Sequence, residues 1–341
     1  MTHRFPIKEI ALQAGLSTAT VDRVLNKRPN VSPQTHRRVH DAMEELGRQE
    51  GQLAAKGRRL FIDVVMEAPA RFSREVQLAS EDVQKQLAPA ALRTRFSIAE
   101  TMTSATCAAT LDRIRKRGSH GVCLKARDTA ELRSAISRLT DKRIPVVTIF
   151  TDITGSQKLA YAGLSNENAG RTAAYLMLKK LGPADRVVLT ILSQLAFQGE
   201  EERYDGFRSE LSRSRPDIEV LEASGGGGLN TATERAVAEK IQSAPKIAGV
   251  YSMGGGNQAV LKALERAGKT PSVFVAHDLD EDNLELLRGE KLTFVLHHDL
   301  RSDMRTAFRH IMAFHGIGPE PAASLSDIQI VTPVNIPMAF K

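Results

Sequence analysis

The sequence predicts a small all-α headpiece followed by an α/β body of two parallel-sheet lobes around a cleft. Three observations carry this. The first sixty residues repeat apolar side chains at helical spacing, punctuated by cap and stop residues. From residue 60 onward, short apolar runs alternate with amphipathic stretches, the order of strand and helix in turn. Charge divides at the same boundary: residues 1–60 hold eleven Lys/Arg against six Asp/Glu, whereas the other 281 residues hold 36 against 34.

A length of 341 residues allows two or three domains, and an apolar fraction of 42% supplies ordinary cores. Eighteen consecutive apolar residues occur nowhere, so no membrane span is expected. The segment from Met1 to Pro6 is polar and lacks the apolar core of a signal peptide. Cys107 and Cys123 are too few for a disulfide framework or a thiolate zinc site. They read as ordinary thiols of a reducing cytosol.

In the headpiece, Ile7, Ile10, Ala11 and Ala14 share one face of a first helix. Gly15 suits a left-handed stop, and Ser17 is placed to cap a second helix. That helix keeps Val21, Val24 and Leu25 for packing. It turns Thr18, Ala19, Asp22, Arg23 and Asn26 outward. Ser32 caps a third helix with Pro33 in its first turn, and Val39, Ala42, Met43 and Leu46 form its buried face. This is a trihelical helix-turn-helix unit whose second helix can enter a DNA major groove. The basic balance of the segment fits phosphate contact, although a solvated basic face would look the same. A generic three-helix interaction module would share the buried pattern, so the turn and the second helix make the difference.

The string Ile7 through Leu46-Gly47 resembles the DNA-binding headpiece of the lac repressor (LacI/GalR) family of bacterial transcription regulators. The resemblance implies that Thr18 and Ala19 read base edges and that Arg23 is the base-reading arginine, suited to bidentate bonds with guanine. Ser17, Thr20, Asn26, Ser32, Thr35 and Arg37 are groups that bind phosphates and fix register. Asp22 stands in place of the usual serine and is expected to position Arg23 or to accept from a cytosine amine. His36 stands where an arginine is common, which weakens one backbone contact or makes it pH-sensitive.

Residues 47–60 form a polar, basic connector. Family members usually start it with Pro-Asn and order a short helix on DNA, from which a leucine wedges into the minor groove. Here Glu50-Gly51 replaces Pro-Asn, and Gly57 stands where the wedge leucine would align. Two readings stay open: a hinge that folds on DNA using Leu53 and Lys56, and a flexible basic linker. The expected division is 1–48 headpiece, 49–59 hinge and 60–341 body.

In the body, strands are expected at 60–66, 92–98, 121–124, 144–150, 186–192, 218–222, 249–252, 273–276 and 293–296, each followed by a helix. Two such Rossmann-like units resemble the periplasmic-binding-protein-like ligand domain that follows the headpiece in the lac repressor family. The resemblance implies three crossings between lobes, near 160, 295 and 325. Lobe one would hold about 60–160 and 297–325, and lobe two about 163–295 and 328–341.

Ligands in such folds sit at the carboxyl ends of strands. Asp152, Arg203 and Asp278 match ligand-contacting positions of the family, and His298 stands where it often has glutamine. Phe72 and Asn257 are further candidates. Carboxylates flanked by an arginine suit sugar hydroxyls. Lys125 and Arg127 also follow a strand and would favour an anion.

Gly254-Gly255-Gly256-Asn257-Gln258-Ala259 fits the dinucleotide pattern G-x-G-x-x-A, with Asp278 following. An NAD(H)-sensing regulator, or an enzyme using that loop, is therefore the rival reading. Neither a nucleophile-base arrangement nor paired catalytic carboxylates are legible, and the scattered histidines lack metal-ligand spacing, so no catalytic residue, metal or cofactor is expected. The expectation is a bacterial cytoplasmic, nucleoid-associated homodimeric repressor. It would bind a near-palindromic double-stranded operator under control of a small effector, a sugar or polyol.

Overall fold

The computed structural model describes residues 4–29, 31–55, 57–193, 197–244, 246–321 and 325–340, without the side chains of 48–55 and 339. The headpiece opens with α1 (Ile7–Ala14), stopped by Gly15 at φ +62°, and α2 (Thr18–Leu25). Ser17 caps α2 by accepting from the Thr20 N–H at 3.1 Å, and Ser32 accepts from the Thr35 N–H at 3.2 Å at the start of the third helix. Ile10, Ala11, Ala14, Val21, Val39 and Ala42 form the small core. Arg38 closes the turn by donating to the carbonyls of Ala14 at 2.7 Å and Gly15 at 3.1 Å.

The third helix, α3 (Pro33–Ala55), does not stop at Gly47. It runs through most of the stretch expected to be a separate hinge. No proline interrupts residues 34–68. Each of Gly47 and Gly51 costs about 1 kcal/mol in a helix, a cost that the surrounding Arg, Gln, Glu, Leu and Ala residues can absorb. Gly57, at φ +87°, lies just beyond the end of α3. The Leu53 side chain and Lys56 lie outside the described residues.

The body alternates without exception through its first half: β1 (Arg59–Glu67), α4 (Ala70–Gln86), β2 (Ala91–Ala99), α5 (Ser104–Arg117), β3 (Gly121–Lys125), α6 (Ala130–Thr140) and β4 (Val146–Ile149). A strand not foreseen follows, β5 (Ala160–Leu164). It is short, and Gly163 and the half-buried Tyr161 blur its apolar pattern. Next come α7 (Asn166–Leu178), β6 (Val187–Ile191), α8 (Gln198–Ser214), β7 (Glu219–Ala223), α9 (Asn230–Ile241), β8 (Gly249–Ser252) and α10 (Asn257–Arg266). The chain ends with β9 (Val273–His277), α11 (Glu281–Arg288), β10 (Phe294–His297), α12 (Leu300–Phe314), β11 (Leu325–Ser326) and β12 (Gln329–Val331).

These strands form two six-stranded sheets, ordered β11-β5-β4-β3-β1-β2 and β12-β10-β9-β8-β6-β7. All neighbours are parallel except the antiparallel pair β10–β12. Central strands read as near-continuous apolar runs because helices cover both faces. The first sheet with α4–α6 and α12 makes lobe one; the second with α7–α11 makes lobe two. The helix α12 follows a lobe-two strand yet packs on α4, β4 and β5, placing Met304, Ala307, Phe308 and Ile311 in the core of lobe one. Each sheet reverses its strand order beside its first strand. That leaves crevices at the strand carboxyl ends, and the two crevices face each other.

Candidate functional site: a DNA-reading face and an interlobe cleft

On the headpiece, Thr18, Ala19, Arg23 and Asn26 are exposed along α2, while Val21 is fully buried beneath them. Ser32 and Arg37 are exposed at the start of α3, and Thr20 and Thr35 are half-buried cap partners. Asp22 does not hold Arg23. Its carboxylate accepts from the Asn26 amide at 2.8 Å and lies 3.3 Å from the Arg28 guanidinium. Both partners lie one turn or more along the chain, within reach of the side chain, whereas neighbouring Arg23 points away. Arg28 thus belongs to this face, a residue that the sequence reading did not single out.

In the body, one cleft gathers side chains from both lobes. It spans about 820 Å³ including its solvent mouth. Phe72, Arg203, Asp278 and His298 line it, as do Glu67, Arg71, Lys125, Thr151, Glu200 and Asp280. Asp152 and Asn257 do not. Phe150, at φ +64°, turns the chain so that Thr151 faces the cleft. Asp152 then serves its own loop, accepting from the Thr148 hydroxyl at 2.6 Å and the Ile153 N–H at 2.8 Å beside Lys158. Asn257 is buried at the start of α10 and donates to Asn283 at 2.7 Å.

His298 is the centre of charge. It is fully enclosed between Asp303, bonded to Nδ1, and Asp278, whose Oδ1 lies 3.2 Å from Nε2. Burial alone would push the imidazole down, but the two carboxylates override it and hold His298 at about 10. His298 is therefore a cation at neutral pH. Burial works against the Asp278 carboxylate too, and His298 and Arg203 outweigh it, so Asp278 stays well below the usual range. The 3.2 Å approach is poorly aligned: Asp278 Oδ1 and His298 Nε2 are buried without a well-formed hydrogen bond, as is His277 Nδ1. Buried polar atoms of this kind can each take a further polar partner. His277 is kept neutral by burial and bonds the Tyr251 hydroxyl at 2.7 Å.

Arg203 is held rigidly. Its Nε donates to Asn166 at 2.8 Å and its Nη1 to the Met253 carbonyl at 3.2 Å. The helix that carries it crosses α7 at Gly170 and Gly206, where an added Cβ would collide with the backbone of Arg203 and of Glu167. The two glycines therefore set how deeply Arg203 reaches.

The glycine loops have a protein occupant. Arg71 reaches from α4 across the mouth and donates to the Gly228 carbonyl at 2.7 Å, with its Nε 2.8 Å from Asp280. A Cβ on Gly255 would stand 2.6 Å from Arg71 Nη2. A guanidinium therefore uses the space that a dinucleotide reading would give to pyrophosphate. Asp278, which that reading would place on a ribose, faces His298 instead. Arg71, Glu67, Glu200 and Asp280 were not singled out beforehand. Glu67 ends a foreseen strand and Arg71 opens the helix after it, so the strand-end rule applied to every βα turn could have found both.

Residues 6–48 match the model for bacterial regulatory proteins of the lacI family, and residues 76–313 match that for a periplasmic binding protein domain. The chain belongs to the periplasmic binding protein domain family through its body and carries a lacI-family headpiece, the architecture of a lacI-type regulator. Both are binding folds, and the protein is a DNA-binding regulator rather than an enzyme. Solved structures similar to it include a solute-binding protein of an ABC transporter from Burkholderia graminis in complex with D-arabinose, at 21% identity, TM-score 0.74, covering 82% of this chain and 97% of that one. GanP, a glucose-galactose binding protein from Geobacillus stearothermophilus, aligns at 17% identity and TM-score 0.73 over 82% of this chain and 99% of its own. A putative LacI transcriptional regulator from Bacteroides fragilis aligns at 16% identity and TM-score 0.70 over 82% and 98%. At such identities the likeness is one of fold. Among curated proteins, no relative matches the chain.

Proposed function

We propose that the protein is a homodimeric transcriptional repressor whose grip on a near-palindromic operator is set by a sugar or polyol bound in the interlobe cleft. The observation that carries this is the cleft itself: Asp278 Oδ1 and His298 Nε2, an ion pair buried without a well-formed hydrogen bond, stand beside a rigid Arg203 and offer hydroxyl groups both donors and acceptors. Residues 1–48 act as headpiece, the stretch 49–59 links it to the body, and residues from 60 onward bind the effector and dimerise. Thr18, Ala19 and Arg23 read bases; Ser17, Thr20, Asn26, Ser32, Thr35 and Arg37 hold phosphates; Leu53 and Lys56 reach the minor groove. Asp22 shapes this face through Asn26 and Arg28. The work is done in the bacterial cytoplasm, where the operator is.

The physical basis is linkage. An effector that binds closed lobes better than open ones shifts the body toward closure, and DNA affinity changes only by that difference. Two measurements test the reading. Fluorescence anisotropy on inverted-repeat DNA should give sequence-preferring binding that weakens steeply with salt. A thermal-shift screen should find a sugar or polyol that stabilises the body by about 2.7 kcal/mol at a hundred times its dissociation constant. Salt-insensitive, sequence-blind DNA binding would overturn the regulator, and stabilisation by NADH in place of any sugar would favour the dinucleotide-sensing alternative.

A further inference from the structure

The cleft contains a lysine that the protein leaves undersatisfied. Lys125 ends β3 in lobe one and points into the cleft. Among the described residues its Nζ has one hydrogen-bond acceptor, the Glu67 carbonyl oxygen at 2.8 Å, and it lies 4.1 Å from the centre of the Phe197 ring. An ammonium has three protons to place, and among the described residues only one of them meets a hydrogen-bond acceptor, while the ring of Phe197 faces the charge. Arg203 reaches into the same space from lobe two, and its Nη2 has no acceptor among the described residues while Nε and Nη1 are both used.

The carboxylates around these cations are engaged elsewhere. Glu67 holds Arg127, whose Nε lies 2.9 Å from Oε2. This is why Arg127, the other strand-end cation, faces away from a ligand. Glu200 accepts from the Ser193 N–H at 2.6 Å and from the Ser193 hydroxyl, and burial raises its pKa toward the neutral form. Asp280 holds Arg71, and Asp278 faces His298. Lys125 itself is drawn down by burial to about 8, which still leaves it mostly protonated at pH 7.

We propose that the effector is a polyhydroxy carboxylate, a sugar acid, whose carboxylate bridges Lys125 and Arg203 while its hydroxyls meet Asp278 and His298. The proposal rests on the cleft being the effector site for a sugar-like molecule. A carboxylate is favoured over a phosphate ester because the backbone donors that would cradle phosphate are engaged. The Ser193 N–H goes to Glu200 at 2.6 Å, and the Gly227 N–H goes to the Ser193 carbonyl at 2.9 Å. Lys125 and Arg203 sit on opposite lobes, so an anion between them attracts both walls. Occupancy and closure are coupled through the charge that neutral sugars lack.

Titration calorimetry on the full-length protein tests this with D-gluconate and D-galacturonate against D-glucose, D-arabinose, myo-inositol and glucose 6-phosphate. The expected result is an acid that binds at least tenfold tighter than the neutral compounds. Its affinity should fall severalfold between 50 and 500 mM NaCl. That salt response, read on the wild-type chain, keeps the test sound if a variant misfolds. Lys125→Met should weaken the acid at least tenfold and neutral sugars much less. Equal or tighter binding of a neutral sugar or of the phosphate ester overturns the proposal, as does an acid affinity indifferent to Lys125→Met. A neutral sugar that still alters operator affinity would leave the sugar-responsive regulator standing and remove only the acid. Operator affinity indifferent to every compound would sink both.

Discussion

Arg71 on lobe one lies 2.8 Å from Asp280 on lobe two and closes the mouth of the cleft between them. The pair is largely buried, at 19% and 7% side-chain exposure. Burial raises Asp280 to about 6 despite the arginine. The same carboxylate caps α11 by accepting from the Asn283 N–H at 2.8 Å, so the latch is built on a fixed helix start.

Arg71→Ala is expected to favour the open body. Truncating one member of a buried charge pair costs about 2 kcal/mol or more. Small-angle scattering should show a larger radius of gyration without ligand, and effector affinity should fall by an order of magnitude or more. An unchanged scattering profile would mean that the latch does not govern closure.

Gly206→Ala should disturb the site through packing rather than charge. The new methyl meets the Glu167 carbonyl at the α7–α8 crossing. Forcing the helices apart costs about 1–3 kcal/mol and withdraws Arg203 from the cleft. Denaturant unfolding should show lower stability, and calorimetry weaker effector binding. Unaltered values in both would show that the crossing has slack.

His298 should impose a pH signature. Its folded-state pKa of about 10 lies above the ordinary imidazole value of 6.5, so its stabilising contribution is complete below pH 6.5 and disappears as pH rises through about 10. The melting temperature of wild type should exceed that of His298→Gln most at pH 6 and converge on it toward pH 10. A gap constant with pH would show that the imidazole is not the charged partner of Asp278 and Asp303.

Arg23→Ala and Arg37→Ala should separate reading from holding. Loss of a bidentate guanine contact costs about 1–3 kcal/mol at one base position and relaxes preference there. Loss of a phosphate contact weakens all sequences alike and lowers the salt slope by about one. Anisotropy on a panel of single-base operator variants distinguishes the two.

Much was legible in the chain itself. The headpiece helices, their caps at Ser17 and Ser32 and the stop at Gly15 follow from local rules, because a cap needs only neighbours three residues away. The alternation of strand and helix gave the class of the body, since period and turn residues are local as well. Arg203, Asp278 and His298 at the cleft follow from the family resemblance, the last two standing at strand ends as well, and Phe72, a further candidate, joins them.

What tertiary structure decided were matters of direction and partner. Asp152 and Thr151 are adjacent, and a single positive φ at Phe150 determines which of them faces the cleft. Lys125 and Arg127 both follow β3, yet Glu67 from the neighbouring strand takes one and leaves the other. The glycines at 254–256 read locally as a nucleotide turn, until Arg71, far away in sequence, fills the space beside Gly255. Periodicity and capping act over one helical turn, so one sequence determines them. The pairing of charges across two lobes depends on which chain segments meet, and only the folded body decides that.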